Sequence, residues 1–192
     1  MLYSYHSPFL NRPTRLLIGA MSFEPSFVEQ RKISHNFVQH LLGHSGLKFP
    51  IEIGRTIYGK PQLRNSNIPI YFNISHSECL TVGITHSQPI GIDIEAEDRR
   101  IDINEEFIYS EIFMSKDEAL LALKTHTLLE LWTIKEAVLK ANGYGLWGGL
   151  KNVSIKMQCA NHGKAFFFKQ RFEVELIHFG RFVISKAVMI QT

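Results

Sequence analysis

Three acidic residues have the types and spacing that best suit chemistry. Asp93 and Glu95 lie one residue apart in Ile90–Glu95 (IGIDIE), and Glu136 sits within Leu131–Leu146 (LWTIKEAVLKANGYGL). In a strand, residues two apart leave the same face, so Asp93 and Glu95 stand side by side while Ile92 and Ile94 point into the core. Adjacent carboxylates repel, and a hard divalent cation that prefers oxygen ligands relieves the repulsion. Glu136 supplies a third oxygen if its helix packs against that strand. Mg²⁺ (or Mn²⁺ in its place) takes few protein carboxylates and leaves its other positions to water and phosphate. Three carboxylates with lysines and a histidine in the same region therefore point to phosphate chemistry. Spacing alone also fits a blander arrangement: an exposed strand face, and an i,i+4 Glu136–Lys140 surface pair contributing roughly 0.5 kcal/mol.

The element that must position Glu136 reads as a helix from about Thr127 to Ala141, closed by Asn142-Gly143 as a C-cap. Helical spacing puts Leu129, Trp132, Glu136, Leu139 and Lys140 along one side. Lys135 falls on the neighbouring stripe with Leu128, Leu131 and Val138. A carboxylate in line with Leu129, Trp132 and Leu139 is largely desolvated and needs a partner or a metal. Trp132 reads as core.

Upstream, residues 15–20 (RLLIGA) and 51–56 read as strands, and residues 26–42 have the periodicity of a helix. Tyr58-Gly59-Lys60-Pro61 is a turn. Ile70–Ser75 reads as a strand running into a small polar loop, Ser75-His76-Ser77. Cys79–Thr85 and Ile90–Glu95 read as two strands of a hairpin closed by His86–Pro89. After a charged loop over 96–104, residues 105–114 and 116–124 look helical, the second with a Ser115/Glu118 capping box. Three strand-like runs follow Gly148-Gly149: 153–157, 165–177 (interrupted) and 182–190. The pattern is mixed α and β, each half of the chain carrying helix and strands.

The 192 residues, 45% hydrophobic and 20% charged, with fourteen Phe, six Tyr and two Trp, suit a globular protein with an ample core. A net charge of +3 is too small to argue for nucleic acid. No run approaches a membrane span and no signal-peptide pattern opens the chain, so the expected compartment is the cytoplasm. Cys79 and Cys159 lack metal-ligand spacing and read as buried small hydrophobes, not as a disulfide.

Taken in order, YGKP (Tyr58–Pro61), FNISHS (Phe72–Ser77), GIDIE (Gly91–Glu95) and WTIKEAVLKANGYGL (Trp132–Leu146) resemble the 4′-phosphopantetheinyl transferases, which include holo-acyl-carrier-protein synthase. The likeness is to the longer, surfactin-synthetase-activating type and covers about half of the chain. It implies an α+β fold: a pseudo-dimer of two similar halves, 1–88 on the nucleotide side and 89–192 carrying the metal and catalytic residues. It implies transfer of the phosphopantetheine arm of coenzyme A to a serine of an apo acyl or peptidyl carrier protein by a monomer, releasing 3′,5′-ADP. Asp93, Glu95 and Glu136 match the family's Mg²⁺ carboxylates. Lys60, Ser75, His76, Lys135 and Lys140 match positions on the coenzyme A side, with Glu136, Lys140 and Asp93 as the catalytic set.

The family's arginines on the early helix have no clear counterpart. Ser34-His35-Asn36 stands near their place, and Arg31, Lys32 and Arg55 are the nearby cations. Two other classes fit the same carboxylates. One is a metal-dependent phosphoesterase using water as nucleophile. The other is a silent module that binds a carrier protein or nucleotide without turnover.

Overall fold

The computed structural model describes residues 2–6, 15–20, 27–48, 50–64, 69–98 and 105–190. Its first part runs β1 (Leu2–His6), β2 (Arg15–Ala20), α1 (Phe27–His44), β3 (Ile53–Arg55), β4 (Pro61–Leu63), β5 (Tyr71–Ser77) and β6 (Leu80–His86). The second runs β7 (Ile90–Ala96), α2 (Glu105–Ile112), α3 (Lys116–Ala122), α4 (Leu128–Asn142), β8 (Val153–Cys159), β9 (His162–Phe167), β10 (Gln170–Phe179) and β11 (Phe182–Ile190). The strands form one sheet ordered β1-β2-β6-β5, a second ordered β7-β11-β10-β9-β8, and a small β3-β4 ribbon.

The two large sheets repeat one plan. A strand (β2 or β7) leads to a long helix (α1 or α4). An antiparallel hairpin then follows (β5–β6 or β10–β11), and its last strand pairs antiparallel with the first. This is the α+β pseudo-dimer of the sequence reading. Between the sheets lies an apolar, mostly aliphatic layer: Leu16 and Ile18 of β2, Leu80, Val82 and Ile84 of β6, Ile90, Ile92 and Ile94 of β7, and Phe182, Ile184 and Val188 of β11. Helix α1 covers the outer face of the first sheet through Phe37, Val38, Leu41 and Leu42. Helix α4 covers the second through Leu131, Ile134, Val138 and Leu139.

Local chemistry accounts for the bounds of α4. Thr127 caps it by accepting from Glu130 N, and the Glu130 side chain accepts from Thr127 N, so two orphan donors are satisfied reciprocally. The helix stops at Gly143, whose φ of 101° is the left-handed C-cap geometry glycine adopts without penalty. The Ser115/Glu118 box forms only in half. Ser115 accepts from Glu118 N, but the Glu118 side chain reaches Met114 N instead of the cap's own N–H.

Two readings of the β region are corrected. Residues 86–89 do not close a hairpin: β6 pairs with β2 and β5, while β7 pairs with β11. Seven paired positions along the apolar run of β11 outcompete the local partner. Nor is Ser75-His76-Ser77 a loop; it is the end of β5, with Ser75 and Ser77 buried and His76 exposed in the alternation of a strand. The interrupted run divides into β9 and β10 at a turn where Phe168 takes φ 51°. Cys79 and Cys159 are both free, and Cys159 is exposed rather than buried. Part of the 96–104 segment and the Arg31 side chain lie outside the described residues.

Candidate active site

Strands β5 and β7 lie at facing edges of the two sheets and are joined by side chains. Asn73 Oδ1 accepts from Ile92 N at 2.9 Å, and Ser75 Oγ donates to Asp93 Oδ1 at 2.9 Å. Ser77 Oγ accepts from Ala96 N at 3.2 Å and donates to Glu95 Oε2 at 3.4 Å. Three alternate residues of β5 thus hold the strand that carries both neighbouring carboxylates. On its other side β7 meets α4 at Gly91. A Cβ there would stand 2.0 Å from Ala137 O and 2.4 Å from Ala141 N, so only glycine lets the helix approach this closely.

That approach brings Glu136 and Lys140 of α4 to Asp93. The Lys140 ammonium donates to Asp93 Oδ1 at 2.5 Å and Ser75 Oγ at 3.0 Å, and pairs with Glu136 Oε2 at 3.4 Å. The other Glu136 oxygen, Oε1, accepts from Trp132 Nε1 at 2.9 Å. Asp93 Oδ2 is buried with no hydrogen-bond partner. The electrostatics follow from this crowding. Burial pushes the Glu136 pKa up, Asp93's charge and more weakly Glu95's add to the rise, and Lys140 opposes it. Burial works against the Lys140 charge, yet Asp93 and Glu136 outweigh it and raise the ammonium's pKa. The partly exposed His76 is lowered by burial and then by Lys140, with Asp93 opposing.

Not every residue matched by motif arrives here. Lys60 sends its ammonium to two backbone carbonyls, Ala141 O at 2.9 Å and Ile90 O at 3.2 Å, fastening the turn after β3 to the end of α4 and the start of β7. It lines a cavity of about 380 Å³ with Thr56, Gln62, Tyr71 and Asn142. Burial lowers its pKa to about 8. Lys135 goes elsewhere altogether: only 1% exposed, it donates to Ile112 O at 2.5 Å and Glu118 Oε1 at 3.1 Å, over the Phe113 ring. It ties α4 to α2 and α3 and is withdrawn from the coenzyme A set. Five residues along a helix turn a side chain through about 140°, so Lys135 and Lys140 cannot serve one face. Arg55 is tied to its own turn through Gly59 O. The larger cavity, about 820 Å³, lies between α2 and α3, lined by Tyr109, Phe113, Met114, Leu120 and Leu123, away from the carboxylates.

The family model for the 4′-phosphopantetheinyl transferase superfamily matches residues 89–187, more than half of the chain. The chain belongs to the 4′-phosphopantetheinyl transferase superfamily. It is 36% identical over 91 residues to the 4′-phosphopantetheinyl transferase gsp of Aneurinibacillus migulanus, covering 47% of this chain and 37% of that one. It is 33% identical over 126 residues to the transferase Sfp of Bacillus subtilis, covering 62% and 51%. The chain thus spans about half the length, or less, of these curated relatives. Among solved structures, Helicobacter pylori holo-[acyl-carrier-protein] synthase in complex with coenzyme A matches with a TM-score of 0.43 at 23% identity, covering 53% of this chain and 99% of that one.

In this superfamily member the metal question turns on the donor set. Among the described residues, no group of three or more histidine, cysteine, aspartate and glutamate side chains is arranged to hold a metal ion as it stands. Asp93 and Glu136 share the Lys140 ammonium, while Glu95 Oε2 faces Ser77. Two features nevertheless fit a hard cation. All three side chains offer oxygen, and Asp93 Oδ2 is a buried acceptor without a donor. Among the described residues, no helix is long and apolar enough to cross a membrane.

Proposed function

We propose that this chain transfers the 4′-phosphopantetheine arm of coenzyme A to a serine of an apo carrier protein, releasing 3′,5′-ADP. The observation that carries the reading is the meeting of Ser75, Asp93, Glu136 and Lys140 where β5, β7 and α4 converge. In this reading the halves divide at Gln88, coenzyme A lies in the cleft between them, and the chain acts as a monomer in the cytoplasm. Asp93, Glu95 and Glu136 would hold Mg²⁺, which when bound offsets the charge of the pyrophosphate.

The serine Oγ attacks the β-phosphorus while Glu136 Oε2 takes the hydroxyl proton. The P–O bond to the bridging oxygen breaks, and its electron pair leaves with 3′,5′-ADP. A carboxylate with a raised pKa is the stronger base, and burial and Asp93 supply that rise in Glu136. Lys140, held cationic by its acidic neighbours, stabilises the charge that grows on the leaving oxygen. In this reading His76 contacts a coenzyme A phosphate, and Ser75 and Lys60 serve the nucleotide side, Lys60 by anchoring its turn. Positioning and electrostatics carry most of the rate.

Intact-mass analysis tests this directly. Apo carriers from fatty-acid, polyketide and peptide synthetases are incubated with coenzyme A and Mg²⁺, and at least one gains a single phosphopantetheine. EDTA stops the gain and Mg²⁺ restores it. Asp93→Ala and Glu136→Ala each slow it by about 100-fold or more while the fold survives. Coenzyme A cleaved without any acceptor would instead mark a phosphoesterase, and binding without turnover a silent module.

A further inference from the structure

Both oxygens of Glu136 are assigned by residues of its own helix, Oε2 by Lys140 one turn after it and Oε1 by Trp132 one turn before. The second contact is more than packing. The Trp132 ring lies against the core under α4, which fixes the direction of its N–H, and an indole nitrogen only donates. The bond from Trp132 Nε1 to Glu136 Oε1 is 2.9 Å and charge-assisted when the carboxylate is ionised. A phenylalanine would keep an aromatic ring against the core but has no N–H to hold the carboxylate. A free glutamate has a rotatable terminal torsion with two broad wells, and packing alone does not choose between them.

We propose that Trp132 is a positioning residue for Glu136: its indole N–H pins Oε1, so that Oε2 stays turned toward Lys140 and the junction between the halves. The contact stands on the geometry alone, whereas its kinetic consequence rests on the transferase reading.

The test uses the full chain and two readouts. The chain has two tryptophans, and Trp147 is 86% exposed, so a ¹⁵N spectrum shows two indole N–H peaks that solvent exchange tells apart. Glu136→Ala is expected to move the Trp132 peak upfield and speed its exchange, leaving the Trp147 peak in place. Trp132→Phe is expected to lower kcat about tenfold with the KM for coenzyme A within twofold, because a hydrogen bond to a charged group is lost while an apolar aromatic side chain is retained. A Trp132 peak that ignores Glu136→Ala overturns the contact. A Trp132→Phe variant with wild-type kcat overturns its positioning role. If the wild-type protein transfers nothing to any carrier, the transferase reading falls and the indole peak alone decides the contact.

Discussion

Gly91→Ala adds one methyl group at the tightest point of the site, and the outcome can be worked from distances. The new Cβ would stand 2.0 Å from Ala137 O, 2.4 Å from Ala141 N and 3.0 Å from the Lys140 carbonyl carbon. Restoring even 3.4 Å to Ala137 O requires α4 to retreat from β7 by about 1.4 Å. None of these atoms belongs to a side chain that can swing aside; all are helix backbone. Overpacking usually costs about 1–3 kcal/mol, and a clash with rigid backbone belongs at or beyond the upper end. The same retreat draws Glu136 and Lys140 away from Asp93, and a misplacement of about 1 Å is worth roughly 100-fold in rate. Urea denaturation and intact-mass transfer assays read the two effects separately. Gly59→Ala is the control: its φ is 84° but nothing lies within 4 Å of the added methyl, so it loses only about 1 kcal/mol of conformational strain energy. A Gly91→Ala protein as stable and active as wild type would refute the close approach of α4 to β7.

Lys135→Met separates a structural lysine from a coenzyme A ligand. Loss of the buried ammonium leaves Ile112 O and Glu118 Oε1 without the Lys135 donor, so stability should fall by about 2–4 kcal/mol with the KM for coenzyme A unchanged. A raised KM with full stability would return Lys135 to the binding set. Lys60 predicts a pH dependence. Its folded pKa is lowered to about 8 from 10.5, so between those values the unfolded chain holds a proton that the folded chain has shed. Unfolding free energy should therefore rise with pH across that window, the penalty for burying the charge being present in full below it. Denaturation of wild type and Lys60→Met at pH 7.5 and 9.5 checks this: the wild type gains relative to the variant, and parallel curves would contradict the lowered pKa.

Helix α4 was legible because its signals are local. Helical apolar spacing and the closing Asn142-Gly143 lie within one short stretch, and the Thr127/Glu130 capping box, seen only in the structure, acts in the same direction. The two-residue alternation of β7 was legible for the same reason: Ile92 and Ile94 are fully buried on one face, and Asp93 and Glu95 leave from the other. The partner of β7 was not legible. Chain proximity favours a hairpin with β6, and the long pairing with β11 comes from nearly a hundred residues away. Lys135 shows a different failure. Its motif matches a family position, but the helical angle from Lys140 already sends it to another face, and the geometry prevails.

The misread Ser75-His76-Ser77 is the most instructive case, because the error and the junction between the sheets have one cause. Serines in an otherwise apolar run look like a loop when only their neighbours are considered. They are strand residues whose buried hydroxyls reach across the gap between the two sheets, with Asn73, and replace backbone pairing that β5 and β7 do not make. That substitution has a consequence for the site. A continuous ladder would bind β7 with backbone groups and leave Asp93 indifferent to its neighbour, whereas here Ser75 Oγ bonds both Asp93 and Lys140. The contact that joins the halves is thus the same contact that orients Asp93, so any movement between the halves must register there. Polar residues inside an apparent strand are best read by asking what lies across from them.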